Sequence, residues 1–224
     1  MISIIIPAFN EEKILSENFS HFENLSKKAE IIVACGESSD RTESIIRGIA
    51  KVIPGETGRA VQMNEGALKA SGEVLLFLHA DAFISPETLD AIESLMQGKE
   101  VAGGCLTQRI DKAGRAIRLL EGFGNTRARL TKVFYGDQGI FVRKNVFLEV
   151  GTYPQVPIME DVMFTKKLKR KGKTCVLSDK ITVSPRRIEK EGVFRTVLIY
   201  SLLNVMFWLK FPLEKIKKVH GDLR

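Results

Sequence analysis

The chain has 224 residues, 44% of them hydrophobic and 27% charged, enough for one ordinary globular core with a small appendage. A formal net charge of +7 suits nucleic acid, anionic lipid or phosphorylated substrates, and with no nucleic-acid motif beside the charge that first partner is set aside. Cys35, Cys105 and Cys175 are odd in number and widely spaced, which argues against a disulfide framework or a cysteine metal site and fits a reducing cytoplasm.

Ile2 to Ile6 is a β-branched run stopped by Pro7, and it reads as a buried first strand. No basic stretch or small-residue cleavage site precedes it, so no signal peptide is expected. Asn10 then caps a helix through about Leu25, with Glu11 and Glu12 in its first turn and Ile14, Leu15, Phe19, Phe22 and Leu25 at helical spacing. Glu30 to Ala34 is a second strand, Gly36 to Asp40 a turn and Arg41 to Ala50 a helix. A short strand at Val52 to Pro54 and a glycine-bearing loop lead into a helix over Arg59 to Ala70. This β-α alternation predicts a doubly wound, mostly parallel sheet.

The run Val74 to Leu78 predicts a strand covered on both faces, and it ends abruptly in His79 and Asp81. Ligands of open α/β sheets lie at the carboxyl ends of strands, so a carboxylate and an imidazole stand where a ligand would be. Asp81 has a second reading as a helix cap, but Ser85 and Pro86 already supply the start of a helix over Pro86 to Gln97. Beyond lie a strand over Val101 to Arg109 and a basic helix over Gly114 to Lys132. A glycine-flanked loop, Tyr135 to Gly139, feeds the strand Ile140 to Val142. Met159, Glu160 and Asp161 precede a helix over Val162 to Lys171, followed by short strands at Thr174 to Leu177 and Ile181 to Val183. Residues 1–188 are expected to form one domain, with 189–224 a C-terminal helical appendage.

Several motifs then fall into one order. The opening Ser3 to Glu12 resembles that of family 2 glycosyltransferases, which have a GT-A fold. Gly36 to Thr42 resembles their second-strand turn, and Gly58, Arg59, Gln62, Asn64 and Gly66 resemble their donor-binding helix. His79, Ala80 and Asp81 sit where that family has its Asp-x-Asp motif; Gly136, Asp137 and Gln138, with Glu160 and Asp161, resemble its acceptor-side motifs. The resemblance covers about residues 2–187 and is closest to small bacterial members with His-Ala-Asp and Tyr-Gly-Asp-Gln.

That resemblance implies sugar transfer, inverting, from a nucleotide-diphosphate donor of UDP or GDP type to an acceptor hydroxyl or lipid phosphate. Such transfer needs a divalent cation to neutralise the departing diphosphate and a base for the acceptor. The implied roles give Asp81 the Mn²⁺ or Mg²⁺, Asp161 the proton, and Glu160 the place of a neighbouring, lesser candidate. Asp161 has a second reading, as only a helix cap. Donor contacts fall to Pro7, Asn10, Glu11, Asp40, Arg59, Asn64, His79, Ala80, Asp81 and an arginine pair, Arg186 and Arg187; acceptor contacts fall to Gly136, Asp137 and Gln138. Asp40 and Asn64 also have readings as a helix cap and a loop brace, and Asp137 as a turn stabiliser. Two positions depart from the pattern: Cys35 replaces an aspartate that recognises uracil, and His79 replaces the first Asp of Asp-x-Asp. A nucleotidyltransferase on the same fold, or a catalytically silent module for phosphorylated ligands, remain alternatives.

Thr196 to Leu209 carries no charge but falls short of the ~20 residues a spanning helix needs. Trp208 and Phe211 beside Lys210, Lys215, Lys217 and Lys218 suit a helix lying on the inner face of the cell membrane. A core or homodimer helix fits the same pattern.

Overall fold

A computed structural model describes residues 1–221. The apolar runs become strands Ile2–Ala8 (β1), Glu30–Cys35 (β2), Lys51–Pro54 (β3) and Val74–Phe77 (β4). The later strands are Ala82–Phe83 (β5), Val101–Ile110 (β6), Ile140–Arg143 (β7) and Lys173–Val183 (β8). All eight share one sheet in the order β3-β2-β1-β4-β7-β6-β8-β5. β1, β2, β3 and β4 are mutually parallel, as are β6 and β8, while β7 and β5 run against their neighbours.

Alternation along β1 splits the core between the two faces of the sheet. Ile4 and Ile6 meet Leu15, Phe22, Leu25, Leu89 and Ile92 on one side. Ile5 joins Met63, Ala67, Phe77, Phe147, Tyr153 and Phe164 on the other. On that second face Phe77, Phe147, Tyr153 and Phe164 form a ring cluster with centroids 4.6–5.6 Å apart. At the middle of the sheet a Cβ on Gly104 would collide with the Cys175 carbonyl, so only glycine lets β6 lie this close to β8.

The helices are Glu12–Glu17 (α1), Phe19–Ser26 (α2), Thr42–Ile46 (α3), Arg59–Lys69 (α4), Pro86–Met96 (α5) and Arg115–Thr131 (α6). They continue with Lys144–Glu149 (α7), Glu160–Leu168 (α8), Arg186–Glu191 (α9), Val193–Trp208 (α10) and Leu213–His220 (α11). Several expectations need correction. The first helix is two, broken at Asn18, whose amide turns to the Ala80 carbonyl at 3.0 Å. Asn10 does not cap it: φ is 52° there, and its side-chain oxygen accepts the Ser39 N–H at 2.9 Å. Ser85 stands at the start of α5 without a side-chain cap bond. α8 begins at Glu160, two residues early, and the two short strands after it are one, with a register shift between its pairings. Gly192, at φ 80°, divides the C-terminal helix into α9 and α10.

The C-terminal helices fold back onto the start of α8. Leu203 of α10 and Ile216 of α11 are buried with Val133, Ile158, Met159 and Val162.

Candidate active site

β1 and β4 are parallel neighbours that end at the same edge of the sheet. The Leu78 N–H still donates to the Ile5 carbonyl at 3.0 Å, and His79 is then the first residue to leave. Across the edge, Met159 takes a left-handed φ of 67° before α8. A non-glycine residue rarely adopts this conformation, and here its side chain is buried in one cluster with Leu203 and Ile216. The turn presents Glu160 and Asp161 in the first turn of α8, where the helix dipole favours negative charge.

These parts converge on Gly136, in a short 3-10 turn. Asp161 Oδ2 accepts the Gly136 N–H at 2.7 Å, and Oδ1 accepts the Val162 N–H at 2.7 Å. A Cβ on Gly136 would lie 3.3 Å from His79 Nε2 and 3.4 Å from Asp161 Oδ2, so the glycine leaves room for that approach. Arg59, first residue of α4, donates its Nε–H to Glu160 Oε1, and its Nη2 lies 4.0 Å from Asp161 Oδ2. Pro7, Arg59, His79, Gly136, Glu160 and Asp161 thus wall one small cavity above the ring cluster.

Burial pushes the Asp161 carboxyl up to about 6, and the Glu160 charge adds to it; Arg59 and the two N–H donors pull the other way. Burial and the Arg59 charge hold the His79 imidazole below its ordinary value, so it is neutral near pH 7. Burial disfavours the Arg59 charge, but the Glu160 and Asp161 charges outweigh it and hold the guanidinium protonated. Asp161 is therefore a desolvated, mostly ionised carboxylate able to take up a proton.

Asp81 lies just beyond His79, with Arg186 Nη2 at 2.5 Å from its Oδ2. No group of three or more His, Cys, Asp or Glu side chains able to hold a metal occurs among the described residues. The donor set fits a hard cation in one way only, with a single carboxylate contributed by the protein and the rest of the shell by diphosphate and water.

The other expected donor residues divide. Asn10 and Asp40 line an open cleft beside α1. There Asp40 accepts the Glu12 N–H at 3.1 Å and the Thr42 N–H at 2.9 Å, tying two loops together. Desolvation works against the Asp40 charge, yet these hydrogen bonds leave its carboxyl below the usual value. The Glu11 N–H donates to Thr42 Oγ1 at 2.9 Å. Ala80 is buried in the loop after β4. Asn64 is wholly engaged with the backbone of Tyr153, donating to its carbonyl at 2.8 Å and accepting its N–H at 3.0 Å. Arg187 turns to the C-terminal helices, with Nη1 at 2.8 Å from His220 Nε2 and its guanidinium over the Tyr200 ring. Cys35 is fully buried in the core, and burial pushes its thiol up to about 12.

Among the residues expected on the acceptor side, Asp137 Oδ2 accepts from Gln108 Nε2 at 2.6 Å. Gln138 Oε1 accepts from the Tyr135 N–H at 3.1 Å and from Arg127 Nη2 at 3.2 Å, while Arg127 also stacks on the Tyr135 ring. Asp137 Oδ1 and Gln138 Nε2 are buried without a partner. Gln108, Arg127, Tyr135 and Gln62 were not singled out as site residues from sequence. Gln62 Nε2 bridges the carbonyls of Ala8 and Ala34, joining the ends of β1 and β2. Its place in the motif with Arg59 and Asn64 was the available signal; nothing in the pattern links Gln108 to Asp137.

With this geometry in hand, likeness to known proteins becomes informative. Over 138 residues the chain is 30% identical to the undecaprenyl-phosphate 4-deoxy-4-formamido-L-arabinose transferase of Edwardsiella ictaluri, covering 54% of this chain and 42% of that one. The chain spans less than half the length of the curated relatives it matches. Among solved structures, the mannosyltransferase PcManGT of Pyrobaculum calidifontis, in complex with GDP-Man and Mn²⁺, superposes with a TM-score of 0.66 at 18% identity. That match covers 81% of this chain and 56% of the other. S. aureus TarS 1-349 in complex with UDP-GlcNAc gives 0.63 at 20% identity, over 82% and 58%. These likenesses establish the GT-A fold for the sheet and its helices. The sequence model of glycosyl transferase family 2 matches residues 3–153, about two thirds of the chain, and the chain belongs to that family.

Proposed function

We propose that the protein transfers a sugar from a UDP- or GDP-type donor to an acceptor hydroxyl or lipid phosphate, with Asp161 as the base. The observation that carries this reading is the meeting of Asp161, Arg59 and His79 around Gly136, at the edge where β1 and β4 end. In the proposed step the acceptor O–H gives its proton to Asp161, and its oxygen bonds to the anomeric carbon. The bond from that carbon to the donor diphosphate breaks, and the diphosphate leaves with the electron pair. Attack opposite the leaving group inverts the anomeric centre.

Arg59 keeps Asp161 ionised and Glu160 compensated. Asp81 is the residue that would hold Mn²⁺ or Mg²⁺, with neutral His79 beside it, and the cation would neutralise the leaving diphosphate. Arg186 already lies on Asp81 and is positioned to pass to that phosphate. Mn²⁺ in the PcManGT complex and lipid phosphate in the name of the Edwardsiella relative support these choices. No helix among the described residues is long and apolar enough to cross a membrane.

A panel of UDP- and GDP-sugars with Mn²⁺ or Mg²⁺ and a polyprenyl phosphate tests the proposal. Release of nucleoside diphosphate with a glycosylated acceptor is expected. Release of pyrophosphate would indicate nucleotidyl transfer, and no donor binding by calorimetry would leave only a silent phospholigand module.

A further inference from the structure

α6 is amphipathic in the reverse sense. It buries Glu121 and Asn125 together with Ile117 and Ala128. The Glu121 carboxylate accepts the Ile110 N–H at 2.5 Å, and Asn125 exchanges two bonds with the backbone of Gln108. Its opposite side shows Leu119 (73% exposed), Phe123 (82%) and Leu130 (78%) to solvent, one stripe at helical spacing.

α10 lies beside α6 and, apolar on most sides, also shows large side chains to solvent. Phe194, Leu198, Leu202, Val205 and Leu209 fall on one exposed row, with Trp208 at its edge. Two adjacent helices therefore present unpartnered apolar rows, more than the scattered exposed residues of an ordinary surface. Neither helix carries an exposed acid; exposed Arg115 and Arg129 lie on α6, Arg195 and Lys210 on or just after α10, and the adjoining α11 adds exposed Lys215 and Lys218 against one exposed acid, Glu214.

We infer that α6 and α10 together form a docking face for an anionic lipid bilayer. Large apolar side chains enter the acyl boundary while the basic fringe meets the headgroups. Charge selects this occupant, because a second copy would bring the same cations against themselves. The face backs directly onto the acceptor side of the site. α6 supplies Arg127 to Gln138, and α10 supplies Asn204 to the Tyr135 hydroxyl at 2.5 Å. Docking would bring the Gly136–Gln138 turn to the lipid surface. The inference deepens the lipid-phosphate acceptor proposed above and rests on it for its purpose, but its test needs no donor and no turnover.

The test is co-sedimentation of the protein with vesicles of phosphatidylglycerol and phosphatidylcholine, against phosphatidylcholine alone. Binding is expected only to the anionic vesicles, falling as salt rises from about 0.1 to about 0.5 M. Phe123→Ser and Trp208→Ser, at exposed positions, should each weaken binding roughly tenfold with unchanged thermal unfolding. Absence of binding at low salt would overturn the inference, as would binding indifferent to both substitutions. So would a dimer in sedimentation equilibrium that Phe123→Ser dissociates, since a second copy would then cover the face. Vesicle binding without sugar transfer would refute the proposed function and leave this face standing.

Discussion

The two halves of the molecule are placed by different forces. From β1 through β4, strands and helices are seated by apolar burial: Ile2, Ile4, Ile5 and Ile6 are at most 1% exposed and meet aliphatic and aromatic neighbours on both faces. From β6 onward, apolar burial of Phe134, Phe147, Tyr153 and Phe164 is joined by polar tethers that fix individual helices and loops. Glu121 and Asn125 hold α6 by backbone groups of β6, and Arg143 reaches the carbonyls of Met96, Gly98 and Val101. Side-chain links stitch the halves, among them Arg59 to Glu160, Asn64 to Tyr153 and Arg186 to Asp81, while the Gly136 N–H ties Asp161 within the second half. Burial builds a platform, while directional bonds set chemical groups to within a fraction of an ångström. A site assembled at the seam needs both.

The sharpest break in that arrangement is Asp161→Asn. The amide keeps the shape but accepts no acceptor proton, so transfer should fall roughly 10²–10⁴-fold. Donor binding by calorimetry should persist; turnover within about threefold of the parent would remove the base assignment.

The pH dependence follows from the same side chain, with opposite signs for activity and stability. An ordinary Asp titrates near ~4, and here the carboxyl is pushed up to about 6 by burial and by Glu160. Between those values the folded protein keeps a proton that the unfolded chain has lost. Asp161's contribution to stability therefore declines as pH rises from about 4 to about 6 and is flat above. Activity should rise across the upper part of that window as the base ionises. A rate profile with its acid limb near pH 6, together with a Tm for Asp161→Asn that gains on the parent's from pH ~4 to ~6, would verify both signs.

Arg59→Met cuts the main link between the halves and leaves Glu160, 2% exposed, without its cation. A wholly buried pair broken this way costs about 3–5 kcal/mol. Arg59 is 38% exposed, so about 2–3 kcal/mol is expected in urea unfolding. Asn64→Ala should cost about 2 kcal/mol by stranding two backbone groups of Tyr153. Donor affinity should be unchanged in the Asn64 variant, which separates a brace from a donor ligand.

How much of this was legible in the sequence follows the same division. Ile2 to Ile6 and Val74 to Leu78 announced their strands because burial on both faces needs continuous apolar runs. The motif order around Gly58–Arg59, His79–Asp81 and Glu160–Asp161 pointed to the family that the residue 3–153 match establishes. Partner choice among polar side chains was not legible. Asn64 and Arg187 belong to motifs read as donor contacts, yet Asn64 braces Tyr153 and Arg187 binds His220. Nor was the reversal of α6 visible, since a basic helix with leucines does not state which face turns inward. The left-handed Met159 escaped too, because a positive φ at a non-glycine residue has no sequence signal and its buried neighbours Leu203 and Ile216 come from far along the chain.

The smallest expected effect concerns the outermost link. Arg186 and Asp81 are 55% and 28% exposed at the side chain, a setting in which an ion pair is worth about 0–1 kcal/mol. Under the proposed role, a weak pair suits a carboxylate that would exchange a guanidinium for a metal ion. If Asp81 holds the metal as proposed, the two cations compete for it in the donor-free protein, and Arg186→Gln should tighten Mn²⁺ binding by up to about fivefold. Asp81→Asn should abolish it, with both read by the loss of the free-Mn²⁺ electron paramagnetic resonance signal. If Arg186 passes to the diphosphate, Arg186→Gln should also raise the donor KM despite holding Mn²⁺ better. Tighter metal with unchanged KM would confine Arg186 to guarding Asp81. Unchanged metal affinity would show that the pair is too weak to compete for the ion, whereas Mn²⁺ binding retained in Asp81→Asn would assign the cation to other ligands.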